Sequence, residues 1–201
     1  IQSALPKDAI ISSDIGNNCA IGNAYPTFEE GRKYLAPGLF GPCGYGLPAI
    51  IGAKIGCPDT PVVGFAGDGA FGISVTEMTA IGRSEWPPIT MIVFRNYQWG
   101  AEKRNSTLWY EDNFVGTELD TQVSYAGIAQ ACGLQGVQTR TMDELREALN
   151  TAITDQMKHG KTTLIEAMIN QELGEPFRRD AMKKPVAVAG ISAADMVPQT
   201  V

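Results

Sequence analysis

A short glycine-rich motif at residues 67–72, G-D-G-A-F-G, carries residue types suited to ligand chemistry in this 201-residue sequence. The glycines on either side of Asp68 let the backbone approach a ligand closely and point N–H groups at it. A carboxylate repels phosphate directly, but Mg²⁺ between them reverses the effect, because Mg²⁺ binds carboxylate, carbonyl and phosphate oxygens octahedrally. The motif alone is equally typical of a plain strand-to-helix turn, since Asp-Gly is a common turn pair.

A second polar residue, Asn96, follows Asp68 by 28 residues and stands at the end of the next apolar segment. One predicted helix and one predicted strand separate the two residues. Consecutive strand ends lie side by side in a parallel sheet, so that an amide oxygen and a carboxylate can reach one cation. This spacing favours a metal site over the plain turn.

The elements that must position these residues alternate between short apolar segments and longer periodic ones. The former predict strands and the latter helices. The predicted strands are residues 9–13, 61–66, 89–94, 137–139 and 163–169. The predicted helices are residues 17–24, 47–56, 74–83, 121–132 and 141–159, with a Gly/Pro-rich loop over 35–46 and a turn over 67–69.

Two further features follow from this pattern. Ser74 with Glu77 three residues later predicts a capping box at the start of the third helix. Strands without a polar face predict an α/β fold, a parallel sheet with helices on both faces. In such sheets ligands bind at the carboxyl ends of the strands, which is where Asp68 and Asn96 are expected.

Composition and charge exclude several classes of protein. The chain is 44% hydrophobic and 19% charged, which predicts a folded core, and its net charge of −6 argues against nucleic-acid binding. The four cysteines lack zinc spacing and suit reduced thiols of a cytoplasmic protein. Residues 34–53 carry no charge but contain five glycines and three prolines, which predicts a turn entering a helix rather than a membrane span.

The motif spacing resembles that of thiamine diphosphate-dependent enzymes, in which about 25 residues separate G-D-G from a pair of asparagines. Here 25 residues separate Gly69 from Arg95, and Arg95 stands where the family usually has the first asparagine. Residues 14–18 and 41–48 resemble the acetolactate synthase-like branch of that family. The resemblance covers residues 1–170, as the diphosphate-binding domain, and leaves residues 171–201 as a C-terminal tail.

The resemblance implies roles for individual residues. Asp68, Asn96 and the carbonyl oxygen of Gln98 would bind Mg²⁺. The implied thiamine diphosphate contacts are Gly16, Asn17, Cys43, Gly44, Gly67, Gly69, Ala70, Gln98 and Trp99. Cys43 matches the bulky apolar residue that supports the bent cofactor, although a nucleophilic thiol is an alternative role. Trp99 could equally be a packing residue.

The glutamate that activates the cofactor belongs, by the same resemblance, to a pyrimidine-binding domain, and this sequence offers no candidate for it. A partner subunit would supply that domain, within a homodimer or homotetramer. The chain alone is therefore expected to bind little cofactor and to be inactive.

The tail and residues 96–105 resemble those family members that convert two anions, sulfoacetaldehyde and phosphate, to acetyl phosphate and sulfite. Arginine and lysine side chains could pair with such anions, and the tail could close over the site. The predicted anion-binding residues are Arg95, Lys103, Arg104, Arg178 and Arg179, with Lys183 and Lys184 nearby. The tail charges could instead serve only solubility.

Two alternatives remain open. Within the family, the chain could belong to an acetolactate synthase or another 2-oxo acid lyase. Outside it, the same sheet could be a non-catalytic nucleotide-binding or scaffold module. Residues 14–19, D-I-G-N-N-C, do not match the G-x-G-x-x-G turn of a dinucleotide-binding fold, and the sequence has no P-loop motif.

Overall fold

Six parallel strands form the sheet in the computed structural model, which describes residues 1–28, 31, 33–83 and 85–171. The strands are β1 Ile10–Ser13, β2 Tyr34–Leu35, β3 Val62–Gly67, β4 Thr90–Arg95, β5 Gln135–Thr139 and β6 Thr163–Met168. Their order across the sheet is β2-β1-β3-β4-β6-β5, and each neighbouring pair is parallel. The predicted parallel α/β sheet is confirmed.

Seven α-helices connect these strands within the described residues. They are α1 Asn17–Ala24, α2 Gly46–Gly56, α3 Asp68–Ser74, α4 Met78–Ile81, α5 Gly100–Trp109, α6 Tyr125–Ala131 and α7 Met142–His159. Residues Ile1–Gln171 form one compact unit. The predicted tail lies outside the described residues from position 172 onward.

The core has one layer on each face of the sheet, because the central strands are apolar on both faces. On one face, Leu47 and Ile50 of α2 and Phe71 of α3 pack with Val62 and Met91. The other face is covered mainly by α7, whose buried apolar residues pack on the neighbouring strand positions. These are Leu145, Leu149 and Ala152, against Val63, Ile92 and Ile165. This double coverage holds the strand ends in fixed positions.

The structure corrects the sequence prediction in the region after β3. Helix α3 begins at Asp68, so residues 67–69 are not a separate turn. Ser74 is the last residue of α3, and its hydroxyl donates to the Phe71 carbonyl instead of capping a new helix. The predicted capping box is therefore wrong here. A different capping box, formed by Thr141 and Glu144, begins α7.

Two elements were not predicted at all. The short strand β2 lies at the start of the predicted loop over residues 35–46, and α5 follows the predicted metal ligands Asn96 and Gln98. None of the helices within the described ranges is long and apolar enough to cross a membrane. Residues 34–53 form β2, a loop and most of α2.

Candidate functional site

The carboxyl ends of β3 and β4 bring the two predicted metal-binding segments together. Gly67 at the end of β3 is in register with Phe94 near the end of β4. The next residues therefore meet at the same edge of the sheet, where the Asn96 N–H donates to Asp68 Oδ2 at 3.1 Å. This contact confirms that Asp68 and Asn96 are adjacent, as the sequence spacing predicts.

The Asp68 carboxylate is 1% exposed, and its two oxygens have different partners. Oδ2 accepts from Arg95 Nη1 at 3.0 Å, from the Asn96 N–H at 3.1 Å and from the Tyr97 N–H at 2.7 Å. Oδ1 accepts from the Gly69 N–H at 3.0 Å. Burial raises the pKa of the Asp68 carboxyl, and the Tyr97 N–H and the Arg95 guanidinium oppose that rise. A further cation beside Oδ1 would stabilise the ionised form.

Asp68 Oδ1, the Asn96 side-chain amide and the Gln98 carbonyl lie close together. One terminal atom of the Asn96 amide lies 3.2 Å from Asp68 Oδ1 and 3.2 Å from the carbonyl oxygen of Gln98. If this atom is nitrogen, the amide donates to both oxygens. If it is oxygen, its distances to the other two oxygens are close to the roughly 3 Å that separates adjacent ligands of octahedral Mg²⁺ at about 2.1 Å. The donor set therefore fits Mg²⁺.

The backbone at Tyr97 is what turns the segment toward Asp68. Tyr97 has a φ of 61°, a left-handed conformation that costs a residue with a side chain about 1–2 kcal/mol. Its N–H is bonded to Asp68, and its carbonyl accepts from the Leu119 N–H at 2.8 Å. These two bonds hold the strained turn in place and so fix the direction of the Gln98 carbonyl that follows.

The side chain of Gln98 connects the metal-binding segment to the end of the described chain. Its Nε2 donates to the Gln171 carbonyl at 2.9 Å, and Gln171 Nε2 donates to the Asn96 carbonyl at 3.1 Å. Gln98 is 2% exposed, and its Oε1 has no hydrogen-bond partner within the described residues. Residue 171, where the predicted tail begins, therefore lies beside the predicted metal ligands.

Close packing brings the predicted cofactor residues against the same segment. A Cβ on Gly69 would lie 2.7 Å from the Trp99 ring, so glycine is required for Trp99 to pack there. A Cβ on Gly100 would lie 3.1 Å from Asn17 Nδ2. Gly16 precedes Asn17 with a φ of 114°, a conformation that favours glycine. The loops after β1, β3 and β4 thus meet around one point.

Asp14 organises the site, although the sequence pattern marks it only as the end of a strand. Its side chain is fully buried and accepts from the Ile15 N–H at 2.8 Å, the Gly44 N–H at 3.0 Å and the Gly46 N–H at 2.7 Å. It therefore fixes the loop that carries Cys43. An aspartate at the carboxyl end of a strand, two residues before a glycine, was the available signal.

Cys43 lies half-buried in this loop. Burial raises the pKa of its thiol, and the nearby charges of Asp14 and Glu102 raise it further. A nucleophilic cysteine needs a lowered pKa, usually from a neighbouring cation. The environment therefore favours the supporting role over the nucleophilic one.

The predicted anion-binding residues are found in different places. Arg95 is 1% exposed and its guanidinium pairs with Asp68 and Glu166, so it is placed inside the domain and not where a substrate anion would arrive. This placement corrects the prediction for Arg95. Lys103 pairs with Glu118 at the surface. Arg104 is half-buried in α5, and Arg178 and Arg179 lie outside the described residues.

Glu166 is a further buried charge that no motif indicates. It lies in β6, an otherwise uncharged strand with the sequence T-L-I-E-A-M, and is 1% exposed. A single charged residue within a buried apolar strand requires a partner, and this was the signal that could have identified it. Its partner is Arg95, at 3.7 Å.

Comparison with known proteins agrees with this geometry. A family model described as thiamine pyrophosphate enzyme, C-terminal TPP binding domain, matches residues 14–167. The fold is similar to that of a thiamine diphosphate-dependent 4-hydroxybenzoylformate decarboxylase from Rhodococcus jostii RHA1, with a TM-score of 0.74 and 23% identity, over 86% of this chain and 31% of that one.

Curated relatives include a sulfoacetaldehyde acetyltransferase from Roseovarius nubinhibens, 83% identical over all of this chain and 33% of its own length. A chloroplastic acetolactate synthase from Nicotiana tabacum is 32% identical over 71% of this chain and 22% of its own. The chain spans about a third of the length of the first relatives it matches. On the family match and the fold, the chain belongs to the C-terminal thiamine diphosphate-binding domains of thiamine diphosphate-dependent enzymes.

Proposed function

We propose that this chain is the diphosphate- and magnesium-binding part of a sulfoacetaldehyde acetyltransferase, which converts sulfoacetaldehyde and phosphate to acetyl phosphate and sulfite. The cofactor part of the proposal is carried by the Asn96 side-chain amide, one terminal atom of which lies 3.2 Å from both Asp68 Oδ1 and the Gln98 carbonyl oxygen. The substrate part is supported by 83% identity to a sulfoacetaldehyde acetyltransferase, against 32% to an acetolactate synthase. Such a reaction belongs to sulfonate breakdown, including that of taurine.

Magnesium would be held by Asp68 Oδ1, the Asn96 side-chain oxygen and the Gln98 carbonyl, with diphosphate oxygens completing its coordination. The Ala70 N–H, at the start of α3, and the loop at Gly16 and Asn17 would approach the diphosphate. The Gly69 N–H is already bonded to Asp68, so its contribution would be to hold that carboxylate. The requirement for glycine at position 69 supports this arrangement, because a side chain there would displace Trp99.

The bound cofactor would supply a carbanion and an electron sink, which turn an aldehyde carbon into an acyl donor. The chain's own residues would orient that cofactor. Asp14 fixes the loop of Cys43 through Gly44 and Gly46, so that Cys43 could support the cofactor in its bent form. Orientation and charge placement of this kind are the protein's main contribution to such reactions.

Substrate anions would be bound by Lys103, Arg104 and the tail arginines Arg178 and Arg179. The support for the tail is that Gln171, the last described residue, is hydrogen-bonded to Gln98 and Asn96. Replacing both tail arginines with alanine should raise KM for both anions with little change in cofactor affinity. Unchanged KM values would exclude the tail from substrate binding.

The remaining part of the active site would come from a pyrimidine-binding domain of a partner subunit, in a homodimer or homotetramer. Two observations support this part of the proposal. This chain matches only 33% of the length of a curated relative, and the loops that flank the site carry a set of exposed apolar side chains. Leu39 and Phe40 precede Cys43 and are 108% and 92% exposed, while Tyr110 and Val115 follow α5 and are 67% and 79% exposed. Apolar surface of this extent is typical of an interface.

The four cysteines are free, which supports the proposal of a reducing, cytoplasmic environment. The state of the cysteines does not distinguish between the candidate substrates.

The test of the proposed function is Asp68→Ala in the full-length protein. We expect it to abolish binding of thiamine diphosphate with Mg²⁺ at ordinary cofactor concentrations, as measured by calorimetry, because the cation loses its only charged protein ligand. Asp143→Ala is the matched control, since that carboxylate is 93% exposed at the start of α7. Equal cofactor binding by the Asp68 variant and the control would contradict the proposal.

The substrate is tested separately with the unaltered enzyme. We expect phosphate-dependent release of sulfite from sulfoacetaldehyde. Release of CO₂ from pyruvate at a higher kcat/KM would instead identify an acetolactate synthase or another 2-oxo acid lyase. Neither activity, together with binding of a nucleotide, would favour the non-catalytic module.

A further inference from the structure

Arg95 stands between two buried carboxylates at the carboxyl end of the sheet. Its Nη1 is 3.0 Å from Asp68 Oδ2, and its Nε is 3.7 Å from Glu166 Oε1. All three side chains are 1% exposed. The arginine therefore connects the ends of β3 and β4 to β6, and its charge is available to these two carboxylates and not to solvent.

Glu166 is itself fixed by contacts that leave it little freedom. It accepts from Ser124 Oγ at 2.9 Å, from the Tyr125 and Ala126 N–H groups at 3.2 Å each, and from Gln138 Nε2 at 3.0 Å. These donors belong to the start of α6 and to β5. Glu166 thus transmits the position of two packed elements to the arginine.

The remaining contacts of the Arg95 guanidinium restrict its orientation. Its Nη2 donates to the carbonyls of Asp120 and Val123, which precede α6. The guanidinium carbon lies 4.2 Å from the centre of the Tyr97 ring and 5.1 Å from that of Tyr125. A planar group with both Nη atoms hydrogen-bonded and two aromatic rings nearby holds one orientation, which a lysine could not reproduce.

This orientation distinguishes the two oxygens of Asp68. Oδ2 accepts from Arg95 and from two backbone N–H groups, so its acceptor capacity is used. Oδ1 accepts from the Gly69 N–H and faces the Asn96 amide and the Gln98 carbonyl. Only Oδ1 is therefore presented to the Asn96 amide and the Gln98 carbonyl, the other two proposed Mg²⁺ ligands.

We propose that Arg95, anchored by Glu166, is a positioning residue that keeps Asp68 a single-oxygen ligand and so favours a small octahedral cation over a larger one. The proposal rests on the proposed function, because it assumes the magnesium site. Mg²⁺ requires near-ideal octahedral geometry, whereas Ca²⁺ accepts carboxylates through one or both oxygens in a flexible shell. Occupation of Oδ2 by Arg95 disfavours the two-oxygen mode.

The experiment compares Mg²⁺ and Ca²⁺ binding in the full-length protein at saturating thiamine diphosphate, by calorimetry. In Arg95→Met, we expect Mg²⁺ affinity to fall by about 10–100-fold, the usual effect of losing a residue that orients a metal ligand. Ca²⁺ affinity should fall by a smaller factor, because Oδ2 loses its charged donor and can then more readily join Oδ1 on the larger cation. Arg146→Met is the matched control, since Arg146 lies on the surface of α7 and pairs with Asp143.

Arg95→Met leaves Glu166 buried without its cation and could therefore unfold the protein. A second variant separates an effect on metal binding from such a loss of folding. The double variant Arg95→Met with Glu166→Gln removes both charges and keeps similar volumes. It should give the same change in the ratio of Mg²⁺ to Ca²⁺ affinity, with a thermal transition of normal cooperativity in the absence of metal.

The outcomes separate this proposal from the one on which it rests. If the unaltered protein binds neither cation with thiamine diphosphate, the magnesium site itself is wrong. If the unaltered protein binds Mg²⁺ and the folded double variant retains its affinity, or loses Mg²⁺ and Ca²⁺ equally, the positioning role of Arg95 is overturned.

Discussion

The two ends of the sheet both bury polar side chains, but they satisfy them differently. At the amino end, Gln156 of α7 accepts from the Val62 N–H at 2.8 Å and donates to the Val62 carbonyl at 2.8 Å and to Thr90 Oγ1 at 2.9 Å. Lys54 donates to the Thr60 carbonyl at 2.9 Å. The Gln156 amide is neutral and paired through both of its terminal atoms.

At the carboxyl end the buried groups are mostly charged, and they leave some capacity unused. Asp14, Asp68, Arg95 and Glu166 are all 1% exposed or less. Arg95 Nε and Gln98 Oε1 have no hydrogen-bond partner within the described residues. Buried polar groups without full partners are costly. Polar groups at the amino end therefore stabilise the fold, while those at the carboxyl end are arranged for a ligand.

The largest effect is expected where a carboxyl-end residue serves both purposes. Asp14→Ala would leave one buried and two half-buried N–H groups without their acceptor, so we expect a loss of about 3–4 kcal/mol in the free energy of unfolding. Cofactor affinity should fall as well, because the loop of Cys43 loses its anchor. Urea denaturation and calorimetric titration of the full-length protein measure the two effects.

Asp143→Ala serves as the control for Asp14 as well, since it removes a carboxylate without uncovering any buried donor. A variant of Asp14 that loses stability but keeps full cofactor affinity would show that the loop is held by other contacts. The carboxyl end would then resemble the amino end more than we infer.

A smaller effect, confined to stability, is expected at the amino end. Gln156→Leu removes the partners of the Val62 N–H and carbonyl, and should lower the free energy of unfolding by about 2–3 kcal/mol. Cofactor affinity should stay unchanged. Gln130→Leu is the control, since Gln130 is exposed and donates only to the Gly136 carbonyl. A clear loss of cofactor affinity in the Gln156 variant would break the distinction between the two ends.

Burial of one face largely explains which helices the sequence could predict. Helix α1 matches its predicted bounds, which Pro26 limits, and α7, which has a buried apolar face, begins one residue later than predicted. Helix α5 has no buried residue, so it carries no apolar stripe that a periodicity argument could detect. The capping pattern at Ser74 failed because the chain is already helical from Asp68.

For the site, the sequence predicted the contacts that follow directly from strand order. Asp68 and Asn96 end neighbouring strands, so their adjacency follows from a parallel sheet. The roles of Asp14 and Glu166 depend on contacts with loops and strands distant in sequence, and the spacing of motifs does not encode them. Arg95 was expected to bind anions because its charge was visible in the sequence, whereas its burial was not.

The smallest expected effect concerns Cys43 and tests whether the carboxyl end is built for a ligand or for a nucleophile. Burial, with the charges of Asp14 and Glu102, raises the pKa of this thiol. Because only the thiolate reacts with iodoacetamide, alkylation of Cys43 should be slow at neutral pH and should rise about tenfold per pH unit, without levelling off until the pH exceeds the ordinary thiol pKa. Mass spectrometry of the labelled peptide measures it, with the exposed Cys57 as the accessible comparison. Cys43→Ala should change kcat less than tenfold, since the proposed role is support of the cofactor. An alkylation rate already maximal below pH 7, together with an inactive alanine variant, would instead assign the thiol to catalysis.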